Sequence, residues 1–354
     1  VDLARRAAVV GGARARMLCV VIVTMSALKR VVFLGTPPVA ARSLELLHEA
    51  SRAGRGAFEL AGVVSQPPAR TGRKKLLTPS PVHALAEEIG LPLFTPPNAK
   101  DEDFLTALEE MQPDLCITAA YGCFLPRRFL DIPAHGTLNI HPSLLPKYRG
   151  AAPLQRCLEA GDAVGGVSVL FTVLKMDAGP VLRQEERPLS GDEQAPELLL
   201  ELFERGTELL VDALPSVWDG SSSAAATAQD GDAATPAPKV DITEAELRLA
   251  EIGARDAHNR VRAFAGWPGT WCPLRIGDGD AVRAKLGRTR VGDPSSAAAA
   301  GTVALSSDGQ ALELSCGDGS VLEVLELTLP GKKPVGPKAF WNGLNGRDVA
   351  WVEA

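Results

Sequence analysis

A chain of 354 residues is long for one domain and comfortable for two. With 45% apolar and 23% charged residues it has an ordinary globular composition, which excludes a disordered or fibrous class. Its net charge of −6 excludes a protein that grips nucleic acid through bulk positive charge, but not one with a local basic patch.

Residues 1–28 are set apart from the fold. Arg5, Arg6, Arg14 and Arg16 precede Met17 with one acid, Asp2, among small residues, as in an organellar transit segment. The alternative is an over-extended reading frame that starts at Met17 or Met25. The apolar run Leu18–Val23 is too short to span a bilayer, and no membrane segment is expected. From residue 29 the pattern alternates. "RVVFLGTP" reads as a buried strand, Arg30 to Leu34, ending at Gly35. "VAARSLELLHEASRAG" follows with helical spacing and a glycine-marked end. Next come a strand from Phe58 to Ser65, a basic loop, a helix near Pro81 to Ile89, the short strand "LPLF" and a helix in "DEDFLTALEEM". The strands "DLCITAA" and "TLNIH", a helix in "PLQRCLEAG", the strand "GVSVLFTVL" with its hairpin partner "VLRQEER", and the helix "PELLLELFERGTELLVDAL" close the domain near Leu214. Strands alternating with helices predict an α/β fold: a doubly wound, mostly parallel, Rossmann-like sheet with ligands at the carboxyl ends of its strands.

"DGSSSAAATAQDGDAATPAPK", Asp219 to Lys239, cannot bury a core and reads as a linker, with bounds set at 215–240. Beyond it, residues 241–354 change texture. One helix is expected from about Glu244 to Phe264, followed by the short strands "TWCPLRI", "AVRAKLG", "GTVALSS", "ALELSC" and "VLEVLELTL". Glycine and aspartate turns between them predict a small C-terminal β-barrel. Arg262, Arg275, Arg283, Lys285, Arg288 and Arg290 face only Asp278 and Asp280, a candidate stripe for phosphates, half of which can equally be solvated strand faces. Trp267 and Trp271 are expected in the core, and His48, His83, His135 and His258 at structural or surface positions. The six cysteines include no C-x-x-C pair and no neighbouring histidine at ligand spacing, so neither a disulfide nor a metal site is expected.

Chemistry concentrates in two places. Asn139 and His141 stand at i and i+2 in "TLNIH", on one face of a strand that Pro142 terminates. Asp177 follows the strand "GVSVLFTVL", with Gly179–Pro180 forcing a turn. If those strands are neighbours, a carboxamide, an imidazole and a carboxylate converge at one edge of the sheet. Such a trio suits acyl transfer: Asn139 gives an amide N–H to the oxyanion, His141 adds a second donor there or passes a proton to the leaving nitrogen, and Asp177 holds the imidazole and can relay a proton from the attacking nucleophile. No serine or cysteine stands in a nucleophile signature, so the incoming group supplies the nucleophile directly.

"NIHPSLLPKYRGAAP" with downstream "MDAGP" resembles the folate-dependent formyltransferase family, and "RVVFLGTPPVAA", "TAAYGCFLPRRFLDIPAHGTLNIHPSLLPKYRGAAPLQ", "VRAFAGWPGTW" and "LPGKKP" extend the match from Lys29 to the C-terminus. The resemblance implies the formyltransferase fold with a barrel of oligonucleotide-binding type. It implies 10-formyltetrahydrofolate as co-substrate and, in the branch carrying the extended match, methionyl initiator tRNA as acceptor. It carries over Asn139, His141 and Asp177 as catalytic residues. The folate pocket falls to Ser143, Leu144, Leu145 and Pro146, with Tyr121 and Gly122. For tRNA it suggests Arg70, Arg73, Lys74 and Lys75 of the basic loop "ARTGRKKL", with Lys332 and Lys333 as a second contact. The loop is one residue shorter than the common family pattern, and Pro38 and Val39 replace the acid and phenylalanine often found after "GTP". Alternatives are a sugar-nucleotide acceptor, against which the basic loop speaks, and a non-catalytic tRNA-binding relative, against which the intact trio speaks. A monomer is expected. The leader, if real, implies a plant or algal mitochondrion or chloroplast; otherwise a bacterial cytoplasm follows.

Overall fold

The computed structural model describes residues 28–72 and 75–353. The transit-segment reading therefore lies outside the described residues, as do Arg73 and Lys74. In β1 (Lys29–Gly35), Val31 and Phe33 point to one face and Val32 and Leu34 to the other, and all four are fully buried. A strand apolar on both faces needs cover on both. The chain supplies it in order: α1 (Pro38–Arg52), β2 (Phe58–Val64), the hairpin β3 (Ala69–Thr71) and β4 (Leu76–Thr78), α2 (Pro81–Glu88), β5 (Leu93–Phe94), α3 (Glu102–Met111), β6 (Leu115–Ala119), α4 (Arg127–Leu130) and β7 (Thr137–His141). Then follow β8 (Arg149–Gly150), α5 (Pro153–Ala160), β9 (Val164–Phe171), β10 (Val181–Pro188), α6 (Ala195–Trp218), α7 (Ser221–Ala225) and β11 (Pro236–Ala237). Leu44 and Leu47 of α1 and Leu210 and Leu214 of α6 cover one face with Val31 and Phe33, while Phe104 and Leu108 of α3 and Phe129 of α4 cover the other.

The sheet runs β10-β9-β7-β6-β1-β2-β5. Strands β5, β2, β1, β6 and β7 are parallel, as expected; β9 is antiparallel to β7, and β10 antiparallel to β9. The basic loop is a hairpin, with Ala69 opposite Thr78.

The Asp219–Lys239 segment has more structure than its composition implied. β11 pairs in parallel with β8, and Thr227 exchanges two backbone hydrogen bonds with Val181, at 2.8 and 2.9 Å. A segment poor in apolar side chains still carries a donor and an acceptor at nearly every residue, and here those backbone groups do the docking.

The barrel comprises α8 (Ala254–Ala263), β12 (Thr270–Ile276), β13 (Val282–Val291), β14 (Val303–Leu305), β15 (Leu312–Ser315), β16 (Val321–Thr328), α9 (Pro337–Gly343) and β17 (Val349–Trp351). Its antiparallel sheet, β14-β15-β16-β13-β12-β17, nearly closes through a bridge between Thr302 and Ala350. The helix expected from Glu244 is a correction. Leu247 and Leu249 are buried while Arg248 is exposed, an alternation of two; Leu247 N donates to Trp271 O at 2.8 Å, and the helix waits until after Gly253. Trp267 also departs from expectation: it is 54% exposed on the Gly266–Gly269 turn, beside Lys239. Among the described residues, no helix is long and apolar enough to cross a membrane.

Candidate active site

Register places the first member of the site. Parallel pairing sets Asn139 of β7 beside Thr118 of β6, and the Thr118 hydroxyl donates to Asn139 Oδ1 at 2.8 Å. The carboxamide oxygen is thereby occupied, and among the described residues Nδ2 has no hydrogen-bond partner. Thr118 was not singled out in the sequence, because a lone strand threonine carries no signal until its neighbour is known.

His141, two residues on, is buried, with Nε2 2.9 Å from the carbonyl oxygen of Tyr148. A carbonyl oxygen only accepts, so Nε2 carries the proton and Nδ1 of the neutral ring keeps its lone pair. Nδ1 faces Asp177 Oδ1 at 3.7 Å. That is too long for a hydrogen bond and close enough for the carboxylate to stabilise an imidazolium once Nδ1 gains a proton.

Asp177 reaches this position by a route that the sequence did not reveal. Because β9 runs opposite to β7, its last residue, Phe171, lies beside Leu138 rather than at the carboxyl end of β7. The turn between Phe171 and Val181 must travel back for the carboxylate to meet His141, so the trio does not form by three strand ends meeting at one edge. Asp177 itself has φ 49°, and its Oδ2 accepts from Gly150 N at 3.0 Å. A Cβ at Gly179 would collide with the carbonyl oxygen of Phe171, and one at Gly150 with that of Ala237. Both sites require glycine for close approach of backbone to backbone.

The residues assigned to folate divide by exposure. Ser143, Leu145 and Tyr121 are buried, and the Ser143 hydroxyl donates to Lys147 O at 2.8 Å within its own loop. Leu144, Pro146 and Gly122 are the accessible members. The Tyr121–Gly122 turn is held from below, since Tyr121 O accepts from Thr36 Oγ1 at 3.0 Å and Gln66 Nε2 at 2.9 Å. Beside the loop lies a cavity of about 290 Å³, lined by Pro142, Ser143, Leu144, Tyr148, Cys157 and Asp162 among others. Burial pushes the Cys157 thiol up to about 11, leaving it a poor nucleophile.

The cations are spread over two surfaces. Arg70 and Lys75 are exposed on the β3–β4 hairpin beside Leu76 and Leu77, while Lys332 and Lys333 are exposed on the barrel after β16. Arg283, Lys285, Arg288 and Arg290 share the outer face of β13, but Arg288 pairs with Glu197 at 3.6 Å and Arg290 pairs with Glu323. Arg283 instead stacks on Trp271, 4.3 Å from the ring centre.

Two family models match the chain, one described as formyl transferase over residues 29–214 and one as formyl transferase, C-terminal domain, over residues 240–345. The methionyl-tRNA formyltransferase of Chromohalobacter salexigens is 38% identical over 328 residues, covering 91% of this chain and 96% of that protein. Its counterpart from Brucella canis is 36% identical over 315 residues, covering 89% and 97%. Among solved structures, the N-formyltransferase from Helicobacter canadensis, in complex with folinic acid and dTDP-3-aminofucose, superposes with a TM-score of 0.60 at 14% identity, over 84% of this chain and 99% of that one. HypX from Aquifex aeolicus gives 0.59 at 18% identity, over 91% of this chain and 49% of its own. At those identities the two structures establish a shared fold and nothing more.

Proposed function

The chain belongs to the formyl transferase family as one of its methionyl-tRNA formyltransferases, and from that premise we propose how it moves the formyl group. It formylates methionyl-tRNA with a formyl-folate donor. The donor is 10-formyltetrahydrofolate and the acceptor is initiator tRNA. The neutral methionyl amine attacks the formyl carbon, forming a new C–N bond and a tetrahedral oxyanion. Asn139 Nδ2, oriented by Thr118, donates to that oxyanion. His141 takes the amine proton on Nδ1, Asp177 stabilises the resulting imidazolium, and the proton passes to the folate nitrogen as its C–N bond breaks. Atoms and charge balance without a covalent enzyme intermediate.

The observation that carries this reading is the convergence of Asn139, His141 and Asp177, with His141 Nε2 committed to Tyr148 so that Nδ1 alone remains to move a proton. Folate binds along Ser143–Pro146 and the Tyr121–Gly122 turn, through Leu144, Pro146, Gly122 and backbone groups. Arg70, Arg73, Lys74 and Lys75 close on the acceptor stem, with Lys332 and Lys333 as a second contact. The exposure of Arg70 and Lys75 on the β3–β4 hairpin supports this. The protein acts as a monomer, in an organelle if its arginine-rich leader is a transit segment and in a bacterial cytoplasm otherwise; N-terminal sequencing of the mature protein distinguishes these.

The test pairs the protein with 10-formyltetrahydrofolate and charged initiator tRNA, against an amino-sugar nucleotide as control acceptor. Asn139→Ala and Asp177→Ala proteins should keep their fold and tRNA affinity while losing most formylation. Full activity in either variant contradicts the mechanism, and preferential formylation of the sugar contradicts the acceptor.

A further inference from the structure

Tyr148 and Asp177, on the loops that meet His141, both hold positive φ, at 63° and 49°. Such conformations persist only where the surroundings over-determine them. Both are held from the Asp219–Lys239 segment. Tyr148 N donates to Thr235 Oγ1 at 2.8 Å. At Asp177 the contact is more extensive. Gln229 Nε2 donates to the carbonyl oxygens of Asp177, at 2.8 Å, and Gly179, at 2.7 Å. Its Oε1 accepts from Arg149 Nε at 3.0 Å and Nη2 at 2.8 Å. Arg149 precedes Gly150, whose N–H binds the Asp177 carboxylate.

We propose that Gln229 is a positioning residue for Asp177, one planar carboxamide whose donors hold the β9–β10 turn and whose acceptor holds the β7–α5 loop. Both amide hydrogens and the amide oxygen are engaged, so the spacing between the two loops is set by a single rigid group. That spacing fixes how far the Asp177 carboxylate stands from His141. The segment joining the two domains is therefore part of the machinery for formyl transfer and more than a tether. This inference rests on the reading of Asp177 as the partner of His141.

Gln229→Glu tests it, because it keeps an acceptor for Arg149 and removes both donors to the carbonyls. The expected result is a drop in kcat of about tenfold, with KM for donor and tRNA within about twofold and Tm near that of the unmodified protein. The kcat–pH limb that reports the imidazole–carboxylate pair should also move. Placed on Asp177→Asn, the same change should cost nothing further. Gln229→Met, which keeps length and removes every bond, serves if the new charge unfolds the segment. An unaltered kcat and pH profile beside an impaired Asp177→Asn protein overturns the role of Gln229 alone, as does a loss that adds fully to that of Asp177→Asn. An Asp177→Asn protein of full activity overturns the underlying reading as well.

Discussion

Thr118 shows how a side chain with no chemistry of its own governs one that has it. Asn139 offers a useful N–H only while its carboxamide is held in one orientation, and the Thr118 hydroxyl does that at 2.8 Å. Thr118→Val removes the bond at nearly constant volume. It should lower kcat about tenfold, against roughly 10²–10³ for Asn139→Ala, with donor binding preserved in both, as single-turnover kinetics and folate titration would report. Equal losses for the two would mean that Thr118 supports more than the amide.

At the scale of elements, the turn from β9 to β10 and the β3–β4 hairpin carry different burdens. The first is tightly determined. Gly179→Ala drives a methyl into the Phe171 carbonyl, so urea unfolding should show a loss of about 3 kcal/mol together with loss of activity. The hairpin is exposed, and substitutions there should leave stability unchanged. Arg70→Ala and Lys75→Ala should each raise KM for tRNA and flatten its dependence on log salt by about one unit, while KM for the donor stays constant. Parallel changes for both substrates would place these cations away from the tRNA. Arg73→Ala is expected to weaken tRNA use most.

At the scale of the molecule, the barrel is fastened to the catalytic domain by apolar and polar groups: Ala263 and Phe264 join the catalytic domain's buried core, and ion pairs and hydrogen bonds surround them. Arg156 of α5, which also pairs with Glu159 of its own helix, reaches Glu244 at 2.7 Å, and Arg262 Nη2 donates to Leu158 O at 3.1 Å. His258, read from sequence as structural, has Nδ1 3.0 Å from Thr289 Oγ1 and donates from Nε2 to Gly191 O at 2.8 Å. Burial lowers its pKa and keeps the ring neutral. The turn that receives it is organised by Glu193, whose carboxylate accepts from Ser190 N at 2.7 Å and Gly191 N at 3.1 Å. Burial alone would raise the Glu193 pKa; those backbone donors outweigh it and hold the carboxyl at about 2, against 4.5 when unfolded. The stabilisation is complete above about pH 5 and fades as pH falls through about 2. Glu193→Gln should therefore cost about 2 kcal/mol at neutral pH in denaturant unfolding, after allowance for solvent, and almost nothing near pH 2. A constant difference across that range would show that the charge is not what matters.

The sequence by itself determined the alternation of strands and helices and the presence of a barrel, and it singled out Asn139, His141 and Asp177 as a candidate trio. Each of these rests on local signals: hydrophobic period, turn residues and a motif of fixed spacing. Tertiary structure alone decided the reversal of β9 and the neighbour that orients Asn139. It alone decided the commitment of His141 Nε2 to Tyr148 and the docking of a low-complexity segment onto both loops of the site. Those depend on pairing between residues far apart in the chain, and often on backbone N–H and C=O groups, which are the same at every position and so leave no trace in residue type.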